Sequence, residues 1–248
     1  MIEQLRGRDH AQAAVTVDLL IYTVRDDELH VLLIERGHAP FEGRPALPGG
    51  YVRTGEHLDT AALRELQEET GIDGSRLHLE QLRTYGDPDR DPRGRVITVA
   101  YLALGPDMPL AEAGTDARTA AWVPVRKILD GHIDLAFDHG VILREGLERA
   151  RFQLEYTTVA AAFCTEPFTL AELRRVYEAV WGLQLDASNF RRKVTGAHGF
   201  LLPTGEHRTQ EIGRPAALYR RGPAQLLSPP LLRSSDAGDP QPSLLALH

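Results

Sequence analysis

The chain of 248 residues contains a single cysteine, Cys164, so no internal disulfide can form. That usage fits a reducing cytoplasm. Cys164 ends the apolar run Val159-Ala-Ala-Ala-Phe-Cys164, where a free thiol reads as a small buried hydrophobe rather than as a nucleophile. Long hydrophobic runs are missing too. The stretch Val15-Thr-Val-Asp-Leu-Leu-Ile-Tyr-Thr-Val24 is broken by polar side chains and too short to span a bilayer, so no membrane partner is expected. The start, Met1-Ile-Glu-Gln-Leu-Arg-Gly-Arg-Asp-His10, holds no apolar core for a signal peptide. What is present, 42% hydrophobic and 25% charged residues, is ordinary for a globular protein of one large or two modest domains.

Charge is unevenly spread. Residues 1–150 carry 17 Lys+Arg against 26 Asp+Glu, a net of −9, whereas residues 151–221 carry 10 against 7, a net of +3. Residues 222–248 add one Arg and two Asp. An acidic half joined to a basic half implies two domains with different partners.

The acid concentrates in Arg64-Glu65-Leu-Gln-Glu68-Glu69-Thr-Gly71, preceded by Gly49-Gly50 and Glu56. The pattern predicts a helix over about 58–69, with Asp59 in its first turn and Gly71 ending it in a left-handed conformation. Such acid density repels itself along a helix. A divalent cation is the simplest compensation, because Mg²⁺ or Mn²⁺ takes carboxylate oxygens and keeps positions open for water and phosphate. Spacings of three and four residues let Glu65, Glu68 and Glu69 converge on one edge as metal ligands. Arg64 and Glu56 then orient them from behind, and the glycines at 49 and 50 let the backbone come close to metal or phosphate. A solvated, salt-bridged helix face is the alternative meaning of such a run.

Around this motif the first half alternates strands and turns. Strands are expected at 13–24 and 29–35, joined by a hairpin at Arg25-Asp-Asp-Glu28, with a short strand broken by glycines at 46–52. Further strands fall at 79–84, 96–104 and 121–125, a short helix at 125–130 and a longer one at 139–154. The Gly- and Pro-rich loop at 86–95 brings Arg90, Arg93 and Arg95, which can hold phosphates bidentately or simply pair with Asp87, Asp89 and Asp91.

Past residue 157 the pattern turns helical. Thr169-Leu-Ala-Glu172 is a capping box, opening a helix whose Leu170, Leu173, Val176, Tyr177, Val180 and Trp181 form one stripe, ended by Gly182. A short helix starting at Asp186 or Ser188 carries Asn189-Phe-Arg191-Arg192-Lys193. A hairpin turning at Pro203-Thr-Gly205 follows, with Arg214, Arg220 and Arg221 on it. Helix, turn, basic helix and hairpin describe a winged helix-turn-helix. Asn189, Arg191, Arg192, Lys193 and Arg214 are therefore the candidate contacts to double-stranded DNA, and Phe190 reads as core.

The motif Gly50, five residues, Glu56, seven residues, then Arg64-Glu65-Leu-Gln-Glu68-Glu69-Thr-Gly71-Ile72 is similar at every fixed position to the Nudix box. Leu135-Ala-Phe-Asp-His139, Phe168-Thr-Leu-Ala-Glu-Leu173 and Gly213-Arg-Pro215 further resemble the Nudix-related transcriptional regulators of NAD metabolism, over roughly residues 13–221. The resemblance implies an α/β (α+β) fold: a Nudix α/β/α sandwich with a mixed sheet at 13–150, then a winged helix-turn-helix at 151–221. A short extension at 1–12 and a disordered tail at 222–248 complete the chain. It also implies Mg²⁺-dependent hydrolysis of ADP-ribose or a related nucleoside diphosphate, DNA binding as a homodimer, and control of one by the other. Glu112, in a distant loop with Asp116, is a further candidate base. Many such regulators have eroded boxes, yet this one keeps every acidic position. Two readings follow: an active hydrolase with a regulatory winged helix, or a ligand-sensing repressor without significant hydrolysis.

Overall fold

The computed structural model describes residues 12–106, 108, 109, 117–209 and 215–233. The chain forms two compact units, one of Met1–Thr23 with Leu29–Gly146 and the other of Leu147–His248 with the hairpin segment Val24–Glu28. The step from Gly146 to Leu147 falls inside one helix, His139–Tyr156.

Seven strands form the sheet of the first unit: β1 (Ala14–Arg25), β2 (Glu28–Arg36), β3 (Pro45–Ala46), β4 (Gly49–Tyr51), β5 (Glu80–Tyr85), β6 (Val96–Leu104) and β7 (Ala117–Pro124). The spine runs β3-β2-β1-β6-β5, with β7 on β2 and β4 on β1. β1 lies parallel to β6, while β5 and β7 pair antiparallel with their neighbours, so the sheet is mixed. Asp26 and Asp27 turn the first hairpin with φ of 50° and 59°, the left-handed pair that a two-residue connection favours.

Alternation along β1 sends its side chains to both faces. Val17, Leu19 and Ile21 share a core cluster with Ala61, Ala62 and Leu66 of α1 (Leu58–Thr70). After the short α2 (Val125–Leu129), the long α3 (His139–Tyr156) covers the other face: the Tyr22 hydroxyl donates to the Leu143 carbonyl at 2.8 Å. A Cβ on Gly146 would fall 1.9 Å from Leu20 Cδ2, so a larger residue there would require the buried Leu20 side chain to move. The result is the expected α/β/α sandwich. α1 ends at Gly71, with φ of 68°.

The second unit contains a 3₁₀ turn at Val159–Phe163, then β8 (Phe168–Thr169), α4 (Leu170–Trp181), α5 (Ala187–Gly196), β9 (Leu201–Arg208) and β10 (Ala216–Arg221). Thr169 and Glu172 complete the capping box, and Gly182 ends α4 with φ of 70°. Asp186, not Ser188, caps α5 by accepting from the Asn189 amide at 2.7 Å. Tyr177 meets Trp181 and Phe190 edge to face, with ring centroids 4.8 and 5.4 Å apart. Phe190 is buried core. The three strands order as β8-β10-β9, giving a winged helix-turn-helix.

Two expectations are corrected. Pro203 and Gly205 do not turn the hairpin, because β9 runs through both. Pairing steps from Tyr219↔Pro203 to Ala217↔His207, so two residues of β10 span four of β9. Gly205, at φ of 80°, absorbs that irregularity, as glycine does at a bulge. Nor is the tail wholly without structure. Leu227 and Leu231 are buried and their amides donate to the carbonyls of Tyr156 and Glu155, while Arg233 pairs with Glu155 and Glu148. Residues 234–248 lie outside the described residues. Cys164 is partly buried, and burial pushes its thiol up to about 12, which keeps it protonated and inert. Among the described residues no helix is long and apolar enough to cross a membrane.

Candidate functional site

Strand β4 pairs with the start of β1, setting Gly50 opposite Val17 and Gly49 opposite Asp18. Neither glycine has a positive φ; space is what they supply. A Cβ on Gly49 would meet the Val17 carbonyl at 2.2 Å, and one on Gly50 would meet Glu65 Oε1 at 2.4 Å. The backbone is thereby pressed between β1 and the acidic helix. The Gly49 amide donates to Glu69 Oε2 at 2.7 Å.

Arg64 is the hub of the acidic set. Its Nε and Nη2 donate to the two oxygens of Glu56 at 2.7 and 2.9 Å, and Nη1 donates to Glu65 at 2.6 Å and Glu68 at 3.0 Å. Nη2 also reaches the Tyr51 carbonyl at 3.1 Å, tying α1 to β4. Arg53, which sequence reasoning passed over, donates to Glu68 from the opposite side. The Arg64 guanidinium, helped by the Arg53 amide, draws Glu56 down to about 2. Burial has the opposite effect on Glu65, raising its pKa despite Arg64 beside it.

The expected convergence of Glu65, Glu68 and Glu69 on one edge is only partial. Glu65 and Glu69 are buried against Gly50 and Gly49, while Glu68 is more exposed and shared between Arg53 and Arg64. Among the described residues no three His, Cys, Asp or Glu side chains form a ready-made metal cluster. The donors nevertheless suit Mg²⁺ in kind, being hard carboxylate oxygens, two of them buried, with the Glu65 charge costly to keep there. Glu112 lies outside the described residues.

Beside the glycines opens a cleft of about 150 Å³, lined in part by Asp18, Arg36, Tyr51, Arg90, Arg93 and Phe137. The three arginines of the 86–95 loop part company here. Arg90 is buried, donating to Asp138 at 2.7 and 2.9 Å and lying 3.4 Å from Asp18, so it braces the cleft instead of standing free for phosphate. Arg93 grips Asp91 and lies 5.4 Å from the Tyr51 ring centroid and 5.5 Å from that of Phe137. Arg95 donates to the Gly86 carbonyl at 2.6 Å and does not line the cleft. His139 is fully buried, and burial lowers its pKa, leaving it neutral. Its Nδ1 accepts from the Leu47 amide at 2.9 Å, so the ring proton sits on Nε2, 3.6 Å from Asp18. Arg36, Asp18 and Phe137 were not marked by sequence as binding residues. Their grouping depends on strand pairing and loop closure that no local pattern reveals.

On α5, Phe190 and Val194 are buried, which turns Arg191 and Arg192 outward. The Asn189 side chain accepts from Arg192, and Lys193 is half-buried. Arg220 and Arg221 are engaged by Glu166 at 3.5 and 3.2 Å. Arg214 lies outside the described residues.

Comparison with known proteins follows the same two-part division. Residues 14–145 match the NUDIX domain, and residues 160–221 match the NrtR DNA-binding winged helix domain. The ADPR responsive transcriptional repressor NtrR of Acinetobacter baylyi is 34% identical over 221 residues, covering 88% of this chain and 86% of that protein. The ADP-ribose pyrophosphatase of Methanocaldococcus jannaschii is 37% identical over 140 residues, 56% of this chain and 75% of its own length. Among solved structures, Shewanella oneidensis NrtR complexed with a 27mer DNA is similar at a TM-score of 0.67 and 35% identity, covering 84% of this chain and 94% of that one.

Proposed function

Given that the chain belongs to the Nudix family and continues into an NrtR-type winged helix domain, we propose that it is an ADP-ribose-responsive DNA-binding regulator whose Nudix half also hydrolyses its ligand. The observation that carries the reading is the complete acidic set, Glu56, Arg64, Glu65, Glu68 and Glu69, packed on Gly49 and Gly50 beside a cleft. The names of the Acinetobacter and Methanocaldococcus relatives support ADP-ribose as the nucleotide, and the DNA-bound Shewanella relative supports a duplex as the second partner. A domain boundary near residue 150 lies within α3, close to the Gly146/Leu147 step between the compact units, and a homodimer doubles the modest basic patch of the second domain. A DNA-binding role places the protein in the cytoplasm.

Glu65, Glu68 and Glu69 would hold Mg²⁺ or Mn²⁺, which when bound neutralises a diphosphate and lowers the pKa of an attacking water. Arg64 and Glu56 position these carboxylates. Gly49 and Gly50 keep the backbone low enough for phosphate to approach. Arg90 holds the cleft wall through Asp138 and Asp18, and Arg93 stands at its mouth beside Tyr51. The products are then AMP and a sugar phosphate.

One observation favours the sensing-only alternative: Glu65 and Glu68 are both committed to Arg64. Release of AMP from ADP-ribose separates the two. Wild-type protein with Mg²⁺ should release AMP, chelation should stop it, and Glu68→Gln should slow it at least about tenfold. Turnover unchanged in Glu68→Gln contradicts the assignment of that carboxylate. Absence of AMP release from wild type leaves the sensor without the hydrolase.

A further inference from the structure

We infer that Arg36, at the end of β2, is a phosphate-binding residue of the cleft and favours ligands that carry a diphosphate. The inference rests on the ligand reading above and deepens it.

Arg36 and Arg93 both lie against the ring of Phe137, with their guanidinium carbons 4.7 and 5.5 Å from its centroid. Both side chains line the cleft beside Gly49 and Gly50. Their charges are answered differently. Arg93 makes a close pair with Asp91, Nη2 to Oδ2 at 2.6 Å and Nε to Oδ1 at 3.0 Å. Arg36 makes no ion pair among the described residues. It donates Nε to the Pro40 carbonyl at 2.8 Å and Nη2 to the His38 carbonyl at 3.4 Å. Those carbonyls fix the direction of the guanidinium without neutralising it.

A guanidinium carries five N–H donors in a rigid fork, and most of Arg36's remain for a ligand. Burial, and next the positive charge of Arg93, make the Arg36 charge harder to keep. Asp18, Asp91 and Glu69 offset this only from a distance. An anionic group in the cleft removes the imbalance. Two guanidinium groups on one aromatic ring offer two neighbouring anchors, which suits the paired charges of a diphosphate better than a single phosphate. Tyr51, 44% exposed at the same place, gives the ligand a ring face.

A purely structural role, holding the 38–40 loop through its carbonyls, predicts something else: loss of every ligand alike. Calorimetric titration of the full-length protein with ADP-ribose, AMP and adenosine distinguishes the two. Arg36→Gln should weaken ADP-ribose about tenfold to a hundredfold, the scale of a lost charged hydrogen bond. AMP should lose less and adenosine nothing. Arg36→Lys, which keeps charge without the fork, should recover part of the ADP-ribose affinity. Equal losses for all three ligands, or an unchanged ADP-ribose affinity in Arg36→Gln, overturn the assignment of Arg36 alone. Failure of wild-type protein to bind ADP-ribose overturns the ligand reading and this inference with it.

Discussion

Replacing Arg191 and Arg192 together by alanine is expected to weaken duplex binding by roughly 10²-fold or more, since a good base contact contributes about 1–3 kcal/mol. The expectation follows from how α5 is held. Phe190 against Tyr177, and Val194 four residues on, fix which face of the helix is inward. Arg191 and Arg192 project from the exposed side, and neither carries packing of the unit. Stability should therefore stay within about 0.5 kcal/mol of wild type, so lost binding is not lost folding. If the two side chains meet phosphates instead of bases, the log–log salt slope should fall by about 0.9 per contact removed. Fluorescence anisotropy on the DNA upstream of the protein's own gene, at two salt concentrations, reads both quantities. Unchanged affinity and slope would remove α5 from the interface. Arg220 and Arg221 make a useful contrast. Glu166 already engages both, so their replacement should cost less.

Arg64→Ala should destabilise the first unit by about 1–3 kcal/mol, the scale for losing charged hydrogen bonds at a partly buried site. Side-chain exposures of 14% for Arg64, 11% for Glu56 and 12% for Glu65 put the group largely out of water. Without the guanidinium, Glu56 and Glu65 lose their close hydrogen-bonded counterion and keep only the weaker field of Arg53, and the tie from α1 to the Tyr51 carbonyl is gone. Urea unfolding monitored by circular dichroism measures the loss, and added Mg²⁺ should restore part of it if the freed carboxylates bind the ion. A midpoint equal to wild type would mean that these carboxylates turn into solvent at no cost, and the hub reading would fall.

The acidic helix and the cap of α4 were legible from sequence because both are local. Arg64 meets Glu68 across one helical turn, and Thr169 meets Glu172 within the first turn of α4. Gly71 and Gly182 stopped their helices for the same local reason, a left-handed backbone. The cleft was not legible in this way. Arg90 finds Asp138 forty-eight positions away and Asp18 seventy-two away, so its nearby aspartates were the wrong partners to consider. Arg36 ends an ordinary strand, and only the fold lays it on Phe137. Strands of two or three residues, such as β4 and β8, are too short to show a period, although β4 sets the glycines against the acidic helix. Gly205 looked like a turn because a bulge and a turn ask the same thing of glycine.

The central claim is that one chain couples a nucleotide in its Nudix half to DNA in its winged helix. An affinity measurement on the upstream duplex, with and without saturating ADP-ribose, tests it most directly. Coupling of ordinary strength, about 1–3 kcal/mol, should shift the dissociation constant by roughly 5- to 150-fold. Equal affinities in the two conditions, from protein shown in the same sample to bind both ADP-ribose and DNA, would contradict it.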